Sequence, residues 1–237
     1  EGGRALCMWT ALELDKELNH PDEAVCKEAS DMVALATPIV KAFITDNAWE
    51  ATSHCMQVYG GHGYIAEWGM EQYVRDSRIN MIYEGTNTIQ SLDLLGRKVL
   101  GDGGAKLMKF GKMVRALCES EANNPAMKEF IEPLADLGDK VSKLTMEIGG
   151  KAMQNPDEVG AAAVDYLRVV GHLFYGYFFA KAAKIALEKQ ASGDKFYTAK
   201  LHTARFYFQK MLPETAMLIR KARAGSSSLM EMEADLF

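Results

Sequence analysis

Residues 167–183 read Leu-Arg-Val-Val-Gly-His-Leu-Phe-Tyr-Gly-Tyr-Phe-Phe-Ala-Lys-Ala-Ala. Leu167, Val170, Phe174 and Phe178 recur at three and four residues, the period of one helix face. Gly171, His172, Gly176 and Lys181 interrupt the apolar run, so it reads as a buried helix and not a membrane span. It lies inside a helix expected over Asp157–Gln190. A second stripe of the same period, Tyr197, Leu201, Ala204, Phe208 and Met211, lies in a helix expected over Tyr197–Ala224, kinked at Pro213. The two stripes are expected to face each other in an antiparallel bundle.

Upstream of this pair the text stays helical. Helices are expected over Ala105–Glu121 and Ala126–Met153, and Gly101-Asp102-Gly103-Gly104 is the clearest linker in the chain. The domain boundary falls there, giving one helical domain over residues 1–100 and a second over residues 105–237. In the first, Leu6, Trp9, Thr10 and Leu14 mark one face of a helix from Arg4 to Asn19, which stops before His20-Pro21. A second helix starts near Asp22 and meets Pro38, where a kink or a new helix is expected because proline lacks the amide donor. Helical text then runs to Tyr59, and Gly60-Gly61 ends it as a left-handed cap. A short helix over Met70–Arg78 and another after Thr86, with Ile89, Leu92, Leu95 and Val99 as its buried stripe, complete this half. Gly225-Ser226-Ser227-Ser228 reads as a flexible exit and Leu229–Phe237 as a loosely held tail. No stretch alternates as a strand. The fold class is all-α.

The chain has 237 residues, 48% hydrophobic and 25% charged, as in ordinary globular proteins. A net charge of -5 argues against a general nucleic-acid or anionic-membrane footprint. Cys7, Cys26, Cys55 and Cys118 form no CxxC pair, which fits reduced thiols in a cytoplasmic compartment and no metal site. Glu1 opens directly into helical text without a signal peptide. The chain is therefore expected to be the C-terminal part of something longer.

The chemistry-bearing segment is Gln57-Val58-Tyr59-Gly60-Gly61-His62-Gly63-Tyr64, then Arg75-Asp76, then Tyr83-Glu84-Gly85-Thr86-Asn87-Thr88-Ile89-Gln90. Two glycine clusters let backbone amides approach a ligand closely. Glu84 precedes a helix whose first amides are unpaired and favour an electron-rich partner. A carboxylate at such a place, once covered by an apolar ligand, can serve as a base near neutral pH. Spacing alone equally allows a dipole-stabilising glutamate and a glycine cap.

These three motifs, in this order, closely resemble the C-terminal helical domain of the acyl-CoA dehydrogenases, over about the first hundred residues. The ending Asp93-Leu94-Leu95-Gly96-Arg97-Lys98 resembles the branch with an extra C-terminal helical domain, which includes broad-range fatty acyl-CoA and 3-methylmercaptopropionyl-CoA dehydrogenases. The resemblance implies a four-helix bundle of that family's type, truncated at its start, followed by a second helical bundle. It implies that Glu84 takes the α-proton of an acyl-CoA thioester while FAD receives the β-hydride, giving the trans-2-enoyl product. Tyr83 would line the acyl pocket and the Gly85 amide would hold the thioester carbonyl. Thr86 and Thr88 would touch the flavin of the same subunit. Gln57, Gly60 and Gly61 would contact the diphosphate of flavin in a neighbouring subunit, so a homodimer or homotetramer is implied, with an electron-transfer flavoprotein as electron acceptor. The family's N-terminal and middle domains would lie outside this chain, so the isolated chain is expected to lack FAD and turnover.

Two other readings stand beside this one: a helical oligomerisation or interaction module without turnover, and a flavin-binding relative with another role such as nucleic-acid protection. A yellow colour on purification, or salt-sensitive binding to duplex DNA, would separate them. Among other residues, His62 reads as a loop histidine and His54-Cys55 as neighbours that do not face each other. His172 and His202 read as hydrogen-bonded core or interface groups, and Arg75-Asp76 as a structural ion pair. The 14 methionines read as core filler. Lys181, Lys184, Lys189, Arg220, Lys221 and Arg223 read as solvated faces.

Overall fold

The computed structural model describes residues 1–236, and every regular element among them is helical. Helix α1 spans Gly2–Asn19 and α2 spans Glu23–Val58. The Asp22 carboxylate opens α2 by accepting the Ala24 amide at 2.8 Å. No new helix begins at Pro38, which is buried within α2. Leu35, Ile39, Ala42 and Phe43, all fully buried, hold this helix against its neighbours, so packing offsets the single lost hydrogen bond. Leu6 is buried as its period implies, but Leu14 is 43% exposed, so the inward face of α1 is narrower than expected.

After two 3-10 turns come α3, Met70–Ile79, and α4, Asn87–Leu92. The chain then winds through wider π turns over Asp93–Val99. Leu95 and Val99 are buried, whereas Ile89 and Leu92 at the start of the same stripe are exposed. The glycine linker folds as a tight turn: Gly103 and Gly104 take positive φ, and Asp102 accepts the Gly104 amide at 3.0 Å. Next follow α5, Ala105–Ser120, α6, Lys128–Ala152, and α7, Asp157–Lys189.

Helix α7 is the axis of the molecule. From Val169 to Ala180 every residue is buried, as expected of a helix that is apolar all round. It packs against α1, α2 and α4 from the first half and against α6 from the second. Residues expected as one kinked helix form α8, Lys195–Phe206, a π turn over Tyr207–Met211, and α9, Glu214–Arg223. Both α8 and α9 lie on α7. The break comes where Pro213 caps α9.

One hydrophobic core runs from Leu6 to Ala222 across the glycine linker. Phe110 of α5 stacks on Phe174 of α7 with ring centroids 3.7 Å apart. Trp9 of α1 closes on Phe174 at 5.9 Å and on Phe178 at 5.7 Å. Gly171 lets α2 and α7 cross closely, since a Cβ there would meet the Phe43 ring at 2.5 Å.

The expected flexible exit is pinned. Ser226 is buried, and the Glu158 carboxylate accepts both its amide at 3.0 Å and its hydroxyl at 2.8 Å. A last short helix, α10, spans Ser227–Met230. Leu229 and Met230 are exposed. Phe237, the end of the expected tail, lies outside the described residues. Among the described residues no helix is long and apolar enough to cross a membrane, and no cluster of His, Cys, Asp or Glu could hold a metal ion.

Candidate functional site

The far end of α2 forms the first patch. Tyr59 caps the helix in a right-handed conformation and Gly60 turns the chain with φ +60. Gly63 is buried beneath Met56, where any Cβ would collide with the Met56 carbonyl, so only glycine fits this turn. Gln57, Gly60 and Gly61 are exposed together, and both glycines have open space on the side where a Cβ would stand. His62 packs edge-on to Trp68 at 5.5 Å, consistent with a loop histidine. Arg75 and Asp76 form no ion pair: the Asp76 carboxylate accepts from Gln72 Nε2 at 2.7 Å. Adjacent residues on a helix diverge, which is the physical reason.

The second patch is the loop between α3 and α4. Asn87 closes it by donating its amide to the Met81 carbonyl at 3.1 Å. Within it Glu84 has φ 54, and it is the one non-glycine residue with positive φ among those described. Gly85 follows at φ 83. Left-handed backbone on a long side chain costs roughly 1–2 kcal/mol and persists only when its surroundings impose it. Gln90 contributes, donating from Nε2 to the Glu84 carbonyl at 3.5 Å. Thr86 caps α4, its hydroxyl accepting the Ile89 amide at 3.3 Å. Tyr83 donates its hydroxyl to Asn80 at 2.7 Å. Tyr83, Glu84, Gly85, Thr86 and Thr88 are all exposed on this loop and helix start. No backbone acceptor meets the Glu84 or Gly85 N–H among the described residues.

The principal imposing group is Asn87. Its Nδ2 donates to Asp46 at 2.6 Å and to Thr45 at 2.9 Å, while its Oδ1 accepts from Lys41 Nζ at 2.7 Å. Burial raises the Asp46 carboxyl above its ordinary value, opposed by the Asn87 hydrogen bond and by Arg168, Lys41 and Arg78. Burial likewise lowers Lys41, against the pull of Asp46 and Glu84. Beside the loop lies a cleft of about 320 Å³ lined by residues that include Arg78, Ile82, Thr86, Thr88 and Val164.

Lys41, Asp46 and Asn87 were not among the residues singled out from sequence. The available signal was a polar set, Lys41 inside the apolar helical run from Ile39 to Ile44 and Thr45-Asp46 directly after it. The two patches do not merge within one chain. The eleven residue steps along α2 from Asp46 to Gln57 separate them by about 16 Å along the helix axis.

Glu84→Gly is expected to stabilise the chain by about 1 kcal/mol, because glycine takes positive φ without the Cβ clash. A urea midpoint below that of the wild type would show that Glu84 is not strained.

Residues 1–100 match the family described as "Acyl-CoA dehydrogenase, C-terminal domain", and residues 110–233 match "Acetyl-CoA dehydrogenase C-terminal like". The chain belongs to the acyl-CoA dehydrogenase family. Within it, the chain is 37% identical to the 3-methylmercaptopropionyl-CoA dehydrogenase of Ruegeria pomeroyi, covering 90% of this chain and 37% of that protein. It is 29% identical to a broad-specificity linear acyl-CoA dehydrogenase of Mycobacterium tuberculosis, covering 100% of this chain and 41% of that protein. The chain thus spans about two fifths of the length of these relatives. The fold is also that of a Caenorhabditis elegans protein, ACDH-11, solved with C11-CoA, with a TM-score of 0.71 at 21% identity over 89% of this chain and 34% of that one. An acyl-CoA dehydrogenase from Bacillus anthracis, solved with FAD, gives a TM-score of 0.67 at 18% identity over 93% of this chain and 40% of that one.

Proposed function

We propose that this chain supplies the base and part of the flavin surface of an FAD-dependent acyl-CoA dehydrogenase that forms trans-2-enoyl thioesters. The observation that carries the reading is the left-handed Glu84, held by the Asn87 clamp with its side chain turned outward on an apolar-flanked loop. Strained backbone held this firmly is a recurrent feature of catalytic loops.

In this reading Glu84 removes the α-proton of the acyl thioester. The α-carbon is a weak acid, so the developing enolate needs donors already in place. The Gly85 N–H, with the Glu84 N–H beside it, is free to donate to the thioester carbonyl. Ile82, Tyr83 and Ile89 are each about half exposed around the carboxylate, and an acyl chain laid across them would exclude water from it. Bound FAD supplies the acceptor for the hydride that leaves the β-carbon. The exposed hydroxyls of Thr86 and Thr88 suit the flavin of the same subunit. The open backbone at Gly60 and Gly61, with Gln57, suits the diphosphate of a neighbour's cofactor, which makes the active form a homodimer or homotetramer. Residues 1–100 carry these groups, and residues 105–237 form the added helical domain that supports them. An electron-transfer flavoprotein then takes up the electrons.

The test uses the intact dehydrogenase containing this chain. Mixed anaerobically with short-, medium- and long-chain saturated acyl-CoA, its flavin absorbance should bleach and trans-2-enoyl-CoA should form. Flavin that stays oxidised across the whole panel would end the reading.

A further inference from the structure

The second half of the chain reaches the Glu84 loop through a set of charged groups between α2, α7 and α9. Arg168 of α7 is largely buried. Its guanidinium donates to Glu214 of α9 at 2.8 and 3.2 Å. The same fork lies 4.0 Å from Asp46 and 3.8 Å from Glu50, both on α2. Its Cζ also lies 5.9 Å from the centroid of the Phe43 ring. Asp46 divides its two oxygens: Oδ2 faces Arg168 and Oδ1 accepts from Asn87. Asn87 starts α4 three residues after Glu84 and closes the loop through its own amide.

We propose that Arg168 is a positioning residue for Glu84, acting through Asp46 and Asn87, so that the added helical half sets where the base points. This rests on Glu84 being the base. An arginine suits the task because one planar fork can engage Glu214 and still face Asp46, whereas a lysine presents a single point charge. The fork is itself anchored. The His172 ring, 3.8 Å away, and the Arg168 guanidinium hold the Glu214 carboxyl down to about 2 against the effect of burial, so Glu214 is an anion at neutral pH. With Arg168 removed, Asp46 keeps Lys41 and Arg78 nearby but loses the cation on its Oδ2 side. Asn87 then loses a fixed acceptor, and its hold on α2 is left to Thr45 and Lys41.

The experiment compares Arg168→Met, Arg168→Lys and the isosteric Asp46→Asn in the intact dehydrogenase, with Glu84→Gln alongside. Arg168→Met and Asp46→Asn are expected to slow flavin reduction about ten- to a hundredfold at saturating acyl-CoA, the scale of a small misplacement of a catalytic group. KM should stay within about twofold, because the loop's binding surface is retained. Arg168→Lys should recover part of the rate. In the full chain, peptides spanning residues 80–92 should exchange amide hydrogens about tenfold faster in Arg168→Met, with α6 unchanged. Unchanged exchange in both Arg168→Met and Asp46→Asn would overturn the proposal, and so would faster exchange with an unchanged rate. Should Arg168→Met fail to fold, Asp46→Asn and Arg168→Lys decide it. A wild-type rate in Glu84→Gln would instead remove the base assignment, while the exchange data still judge whether Arg168 holds the loop.

Discussion

Glu84→Gln in the intact dehydrogenase is expected to slow flavin reduction by about 10³-fold, within the usual range for losing a general base. Glutamine keeps the length and shape of the side chain, so the left-handed turn survives. The supports of that turn do not use the carboxylate: Gln90 bonds the backbone carbonyl, and Asn87 bonds Met81, Asp46 and Lys41. Acyl-CoA binding should therefore stay within about twofold of wild type, and the loss should fall on the chemical step alone. Stopped-flow absorbance with a saturated acyl-CoA reads the rate directly. A variant that reduces its flavin as fast as the parent would show that another group takes the α-proton.

Phe174→Ala should destabilise the full chain by about 3–5 kcal/mol, as for other large aromatic truncations in cores. Phe174 is fully buried, and its ring is stacked on Phe110 with Trp9 against the pair. Helices α1, α5 and α7 meet at that cluster, so the cavity would lie at the junction of both halves. On a total stability of order 5–15 kcal/mol this is a severe loss. Urea denaturation followed by far-UV circular dichroism measures it. A single transition shifted to lower urea is expected. A loss under about 1 kcal/mol, or two separated transitions of which only one moves, would mean that the halves do not share a cooperative core.

Much of this architecture could be read from residue order. The central helix was legible because the run Val169–Ala180 is apolar on every face, interrupted only by Gly171, His172 and Gly176. The end of α2 at Gly60 and the turn at Gly103-Gly104 were legible because left-handed backbone favours glycine. Pro38 starts no new helix because a missing hydrogen bond is a local cost of one residue, whereas the contacts that outweigh it come from other helices. Ile89 and Leu92 carry the right period, but period says only that a face is apolar, not what covers it. His202 is exposed on α8 and so lies outside the core, whereas His172 is buried and bonded to the Tyr207 hydroxyl at 3.0 Å. Lys221 and Arg223 lie on solvated faces as expected and pair there with Asp165 and Glu147, while the partly exposed Lys184 pairs with Glu121. The Asn87 clamp was hidden for a simpler reason. Its partners, residues 41 to 46, stand more than forty positions away in the chain, and no local pattern joins them.

Because the glycine patch and the Glu84 loop are both mounted on α2 beyond Pro38, their relation is one of phase as well as length. An α-helix advances about 100° per residue. Inserting a single residue between Asp46 and Gln57 would swing one patch by more than a quarter turn around the rod while moving it only about 1.5 Å along it. In an assembly where each patch serves a different cofactor, such a lesion would spoil two centres at once. An insertion in this segment is therefore expected to do far more damage than a surface substitution there.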